Sequence, residues 1–228
     1  MTYTAQIQSV EDLRGPAGRL EALLNTGRAD APYAALVCHP HPAGGGTMHN
    51  KVVYHAMKAF ASFGLPVLRF NFRGTGLSEG IHDEGRGEQD DVRAALDWLH
   101  HQNGLPVLMV GFSFGAHVGL RACCGDTRVR GFAALGLPVA AEGRHYRYTF
   151  LASCTLPKLF VSGGSDEYGP TAELEQIVAS SSEPKSLVII ADADHFFAGK
   201  LEQMQNALRE WLVARYFPEL RQDTTRMR

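Results

Sequence analysis

Short apolar runs alternate along this chain with longer stretches whose apolar positions recur every three or four residues. Runs of the first kind suit strands buried on both faces, and stretches of the second kind suit amphipathic helices. The pattern predicts strands over 20–24, 33–38, 65–70, 107–110, 131–135, 159–162 and 186–190. Helices are predicted over 47–63, 88–101, 171–180 and 200–217, with another running from the serine at 113 to about 124. Val52, Val53, Ala56, Ala59 and Phe60 share one side of the first helix, and Gly64 ends it. Val92, Ala95, Leu96 and Leu99 stripe the second, and Leu201, Met204, Leu208, Trp211 and Leu212 stripe the last. Apolar strands separated by helices imply a mostly parallel central sheet flanked by helices on both faces.

Between the strands ending at Leu135 and starting at Leu159 lie only about two dozen residues. An interval that short leaves no room for a helical cover, so a minimal cap, or none, is expected. No repeat, low-complexity tract or linker divides the chain, and the polar residues 221–228 read as a loose tail.

The segment Gly111-Phe112-Ser113-Phe114-Gly115 falls where a predicted strand passes into a predicted helix. Strand, G-x-S-x-G, helix is the context of a nucleophile elbow, a turn so tight that the serine hydroxyl stands clear of the sheet. Such a hydroxyl needs a base to take its proton, and the base needs a carboxylate to hold its tautomer. Downstream of Ser113 the histidines are His117, His145 and His195. His117 lies four residues on, facing away from the hydroxyl, and His145 sits in the short interval. His195 follows the last strand, at the end where parallel sheets bind ligands, and is the expected base. Asp166 follows the preceding strand after Gly163 and Gly164 and is the expected acid, with Glu167 second; Asp192 and Asp194 read as turn-formers.

Acyl transfer also needs two fixed donors for the developing oxyanion. The N–H of Phe114, opening the elbow helix, is one candidate. The other should come from His39-Pro40-His41-Pro42-Ala43-Gly44-Gly45-Gly46, where the prolines have no N–H and the amide of His41 is the first strong donor. A metal held by His39 and His41 would need a third ligand that the sequence does not offer nearby, so no metal is expected. The glycine runs lack the Gly-Lys-Ser/Thr or dinucleotide spacing of a phosphate cradle, so no cofactor is expected either.

Bulk properties narrow the partners. With 228 residues and a net charge of −2, the chain has no footprint for nucleic acid or an anionic membrane. It lacks a basic leader and an apolar run long enough to span a bilayer, so a soluble cytoplasmic protein is expected. The four cysteines, Cys38, Cys123, Cys124 and Cys154, have no metal-type spacing, and all are expected to be small, reduced packing residues. Phe112, Phe114, Tyr146 and Tyr148 are expected to line a shallow apolar pocket beside Ser113. The tract from His145 to Tyr148 could select substrates or simply be solvated loop.

Taken together, these segments resemble the small, lidless bacterial serine α/β-hydrolases of the dienelactone-hydrolase and esterase-like group. The matching stretches are His39-Pro40-His41-Pro42 with Gly45-Gly46-Thr47-Met48, Asn71-Phe72-Arg73-Gly74-Thr75-Gly76-Leu77-Ser78-Glu79-Gly80, the elbow, Gly163-Gly164-Ser165-Asp166 and Ala193-Asp194-His195-Phe196-Phe197. The resemblance runs from about residue 36 to the C-terminal helix and implies an α/β-hydrolase fold, and at 228 residues a single domain over 1–220 is expected. It implies Ser113, Asp166 and His195 as catalytic triad, with the N–H groups of Phe114 and His41 as the oxyanion hole. Ser stands where dienelactone hydrolases proper carry Cys. The expected activity is hydrolysis of small carboxylic esters through an acyl-enzyme. A peptide or thioester hydrolase with the same triad is the alternative within enzymes, and a non-catalytic binding module the alternative outside them.

Overall fold

The computed structural model describes residues 6–141 and 143–221. Eight strands form one sheet: β1 Ile7–Val10, β2 Ala22–Asn25, β3 Ala34–Cys38, β4 Val67–Phe70, β5 Val107–Phe112, β6 Val129–Leu135, β7 Lys158–Gly163 and β8 Lys185–Ile190. Their order across the sheet is β1-β2-β4-β3-β5-β6-β7-β8. β1 and β2 run antiparallel to each other, β2 runs antiparallel to β4, and every pairing from β4 to β8 is parallel.

Alternation along the strands divides the core in two. In β5, Val107 and Met109 face the layer of α2 (Gly87–Asn103), α3 (Phe114–Cys123) and α4 (Thr171–Ser180). Leu108, Val110 and Phe112 face α1 (Lys51–Ala61) and α5 (Leu201–Arg215) on the other side. A strand buried on both faces has no polar position to alternate with, which is why 107–110 reads as a continuous apolar run. Each fully buried Leu, Val or Phe in these layers contributes roughly 1.5–3 kcal/mol of transfer free energy.

Boundaries moved where local chemistry overrode periodicity. α1 begins at Lys51 rather than 47, because the Asn50 side chain accepts the Val52 N–H (2.9 Å) and caps the helix there. β1 was not predicted: three of its four side chains are exposed, so it carries no apolar signature. The tail expected from 221 lies, from 222 onward, outside the described residues. Between β6 and β7 the chain forms a two-stranded hairpin (Ala140–Ala141 with Arg144–His145) and a 3₁₀ turn (Thr149–Ala152), with no α-helix among the described residues.

The cysteines require a correction. Cys38 and Cys123 are buried free thiols, and burial pushes both well above the usual thiol range. Cys124 and Cys154, expected to be reduced, form a disulfide that ties the end of α3 to the segment before β7. The two are 30 residues apart, and only the fold brings their Cα atoms to 5.5 Å. Among the described residues, no helix is long and apolar enough to cross a membrane.

Candidate active site

The chain leaves β5 through Ser113, whose backbone sits at φ 54°, ψ −120°. A non-glycine residue there is strained, and its neighbours must hold it in place. The Ser113 N–H donates to Leu135 O at the end of β6 (2.9 Å), and its carbonyl accepts from Ala116 (2.9 Å) and His117 (3.2 Å). The flanking glycines are steric necessities: a Cβ on Gly111 would strike the Gly115 carbonyl, and one on Gly115 would strike the carbonyls of Cys38 and His39. β3 and α3 therefore approach closely, which sets the loop after β3 against the serine.

Two further loops leave the same end of the sheet. After β7, Asp166 is placed by a turn in which Ser165 N–H bonds to Ala193 O (2.9 Å) and Gly164 N–H to Ile190 O (2.8 Å). A side chain on Gly163 would strike the Ala193 carbonyl, so the loops after β7 and β8 also touch backbone to backbone. After β8, Asp194 builds a turn by accepting from Ala198 N–H through its side chain (2.8 Å) and from Phe197 N–H through its carbonyl (3.1 Å). His195 lies in that turn, with Asp192 at φ 57° just before it.

These loops bring Ser113, His195 and Asp166 into one hydrogen-bonded line. The Ser113 hydroxyl donates to His195 Nε2 over 2.9 Å, and His195 Nδ1 lies 2.9 Å from both Asp166 oxygens. Both partners of the second contact are 4% exposed. The Asp166 carboxylate also accepts the N–H groups of Tyr168 (2.9 Å) and Gly169 (3.1 Å) and the Ser162 hydroxyl (3.2 Å). It is fully satisfied, and its orientation fixes the imidazole with Nδ1 protonated and Nε2 free to accept. Glu167, the second candidate acid, makes no such contact.

The loop after β3 is held by His39, whose place in His-Pro-His suggests at most a metal ligand. His39 donates from Nδ1 to Pro40 O (2.7 Å) and accepts the Phe72 N–H at Nε2 (2.9 Å), so both ring nitrogens are engaged. Burial lowers its pKa to about 4, and it is neutral. His41 begins a 3₁₀ turn (Pro42–Gly44); its ring accepts the Ala43 N–H (3.1 Å) and its carbonyl those of Gly44 (3.1 Å) and Gly46 (3.0 Å). Its ring packs at 4.7 Å on Phe114, the first residue of α3.

A cleft of about 180 Å³ opens over Ser113 and His195. The loop after β3 with Asn50 forms one wall, and Ala141, Arg144, Tyr146, Tyr168 and Phe196 form the other. Of the four aromatics expected here, only Tyr146 lines it. Phe112 is buried beneath His195 (5.0 Å), Phe114 is buried against His41 and Phe72, and Tyr148 is buried with its hydroxyl donating to Pro138 O (2.6 Å). His117 faces away from the hydroxyl, as expected, and packs against Tyr146 (4.8 Å) and Tyr148 (5.2 Å). Burial and the Arg121 charge lower its pKa to about 3.

A family model described as an α/β-hydrolase domain matches residues 33–214. The chain belongs to the α/β-hydrolase family. An uncharacterised protein of Rickettsia prowazekii is 38% identical to this hydrolase over 208 residues, 87% of this chain and 86% of its own length. The structure of an α/β serine hydrolase homologue from Coxiella burnetii is similar with 34% identity and a TM-score of 0.81, covering 93% of this chain and 98% of its own. An α/β serine hydrolase without lid from Xanthomonas campestris is similar with 31% identity and a TM-score of 0.78, covering 93% and 95%. This hydrolase is accordingly a small, lidless member of its family.

Proposed function

We propose that this hydrolase cleaves small carboxylic esters through an acyl-enzyme on Ser113. The observation that carries the reading is the continuous contact Ser113 Oγ–His195 Nε2–Asp166, built on a serine held at positive φ. In the first half-reaction Oγ attacks the ester carbonyl carbon and its proton passes to Nε2. The imidazolium so formed is stabilised by the buried carboxylate of Asp166. The carbonyl oxygen takes the electron pair and is met by the N–H groups of Phe114, at the N-terminus of α3, and His41. Collapse expels the alkoxide, which takes the Nε2 proton and leaves as the alcohol. Water then attacks the acyl-enzyme by the same steps in reverse, and Nε2 returns a proton to Oγ.

The cleft favours short acyl groups. Each methylene gains about 0.8 kcal/mol only where it is buried, and no lid extends the walls. For p-nitrophenyl esters kcat/KM is expected to peak between about two and six acyl carbons, where buried gain saturates. The assignment of Ser113 is tested with a fluorophosphonate, which should modify Ser113 in the native protein and fail to do so in His195→Ala. Labelling of another serine, or full labelling of the histidine variant, would refute it.

A further inference from the structure

Resting on that reading, we infer that Asn71 is a positioning residue for the oxyanion hole, holding from behind the loop that carries the His41 N–H. That loop, residues 39–48, has little to pack against at its tip. Ala43, Gly44 and Gly45 are exposed, and a Cβ added at Gly44 or Gly45 would meet no atom within 4 Å. Its place beside Ser113 is therefore set at its stem. Two closures draw the stem together. Gly46 N–H donates to His41 O (3.0 Å), and a Cβ on Gly46 would lie 2.2 Å from the Pro40 carbonyl oxygen. The peptides on either side of His41 are thus locked to Gly46, and whatever fixes residues 46–48 also fixes the His41 amide.

The end of β4 does the fixing. Asn71 Oδ1 accepts the Met48 N–H (2.8 Å), and Arg69 Nη1 donates to Met48 O (3.2 Å), so both backbone groups of Met48 are held. Met48 and Asn71 are each 1% exposed, and the bond between them is buried. The other arm of the loop is bonded to the next residue along, since Phe72 N–H donates to His39 Nε2 (2.9 Å). Two consecutive residues after one strand therefore hold both arms.

The Asn71 amide must point its oxygen at Met48, and Glu21 selects that orientation. A carboxylate only accepts, so Glu21 Oε2 draws the Nδ2 donor (2.7 Å) and leaves Oδ1 to Met48. Glu21 is itself fixed just before β2. Its carbonyl accepts the Asn71 N–H (2.8 Å), its N–H donates to Ser78 Oγ (2.9 Å), and Oε2 also accepts the Leu77 N–H (2.8 Å). Ser78 Oγ closes the ring by donating to Asn71 O (2.7 Å). A Cβ on Gly76 would lie 2.4 Å from Glu21 Oε2 and 2.5 Å from Asn71 Nδ2, so this turn packs directly onto the pair. Neither Asn71 nor Glu21 lines the cleft, and Asn71 acts on the reaction only through the loop. Losing an oxyanion donor costs about 10²–10³ in kcat, and displacing a reacting group by about 1 Å costs about a hundredfold. The oxyanion is absent from the ground state, so the loss falls on kcat and leaves KM nearly unchanged.

The test uses p-nitrophenyl butyrate as substrate and butyl trifluoromethyl ketone as transition-state analogue, whose adduct on Ser113 carries the same oxyanion. Asn71→Ala should lower kcat by about tenfold to a hundredfold with KM within about threefold, and should raise the Ki of the ketone by the factor that kcat/KM loses. Asn71→Asp keeps an oxygen for Met48 but sets a second carboxylate against Glu21, and should lose as much. Glu21→Gln alone should stay within about threefold of native, since an amide oxygen still accepts from Asn71. Adding Glu21→Gln to Asn71→Asp exchanges amide and carboxylate, with the N–H of exposed Leu77 turning to water. That exchange should bring kcat back to within about fivefold of native. Should Asn71→Ala fail to fold, Asn71→Asp and the exchange decide alone. Native kcat in Asn71→Ala, an exchange that restores nothing, or a kcat loss that tracks the folded fraction while the Ki of the ketone stays native overturns the inference and leaves the esterase reading standing. A native protein that neither turns over the ester nor is inhibited by the ketone overturns the esterase reading itself.

Discussion

Acid should unfold this hydrolase in part through two histidines that the fold keeps neutral. His39 is fully buried with both nitrogens engaged, and His117, half-buried on α3, packs against Tyr146 and Tyr148 of the segment after β6. Their native pKa values are lowered from 6.5 to about 4 and about 3, chiefly by burial. The sign follows from proton binding. Above about pH 7 neither state binds a proton at these sites, and their contribution to stability is complete. Below 6.5 the unfolded chain takes up protons that the native state refuses, so stability falls with falling pH until the native values are reached.

The slope is about 1.4 kcal/mol per pH unit per histidine. At pH 5, about one and a half units below the unfolded value, each histidine costs about 2 kcal/mol, or about 4 together. That is a large fraction of the 5–15 kcal/mol typical of a folded domain. His117→Phe removes one titrating group while keeping a ring against Tyr146 and Tyr148. Urea unfolding at pH 8 and pH 5 should therefore show the variant losing about 2 kcal/mol less than the native protein over the same interval. His39 and the carboxylates act equally in both proteins and cancel in the comparison. Identical losses in the two proteins would refute the account of His117 as a half-buried group held neutral.

Three other changes have definite expected outcomes. Asp166→Asn should fold, as shown by an unchanged circular dichroism spectrum, yet lose kcat by about 10⁴ because the imidazole is left in the wrong tautomer; Glu167→Gln should retain most activity, and comparable losses in both would mean the two share the task. Gly115→Ala drives a methyl into the carbonyls of Cys38 and His39 and should lower stability by about 3 kcal/mol or more, read from the urea midpoint; a near-native midpoint would refute the close approach of β3 and α3. Cys154→Ser opens a loop of 30 residues, for which chain entropy gives a loss of about 3–4 kcal/mol, checked by urea unfolding beside native protein with and without reductant.

What could be read in the sequence follows from where each element is buried. The strands β3, β5, β6 and β7 are covered on both faces, so apolarity alone marks them. The placement of Asp166 and His195 beside Ser113 is legible because the parallel sheet sends the ends of β7 and β8 to the same edge as the elbow. β1 escaped because an edge strand with exposed side chains carries no such mark. The Cys124–Cys154 bond escaped because only tertiary packing sets the distance between them. The role of His39 is not legible because nothing in His-Pro-His announces that its ring will accept from Phe72, 33 residues on.

The misplaced aromatics teach more than the misses. Phe112 and Phe114 flank Ser113, and adjacency suggested that they would share its pocket. Strand alternation puts Phe112 on the layer of α1 and α5, where its ring lies beneath His195. The turn at φ 54° sends Phe114 the other way, into the layer of α2 and α3, where it props the ring of His41. The two variable positions of G-x-S-x-G thus support His195 on one side and the loop after β3 on the other, and neither lines the cleft. With the elbow committed to holding its neighbours, the walls that meet a substrate must come from elsewhere. They come from Asn50, Phe196, Tyr168 and the segment after β6 that carries Arg144 and Tyr146. That segment is too short to cover the site, and its side chains form part of the wall without closing over Ser113.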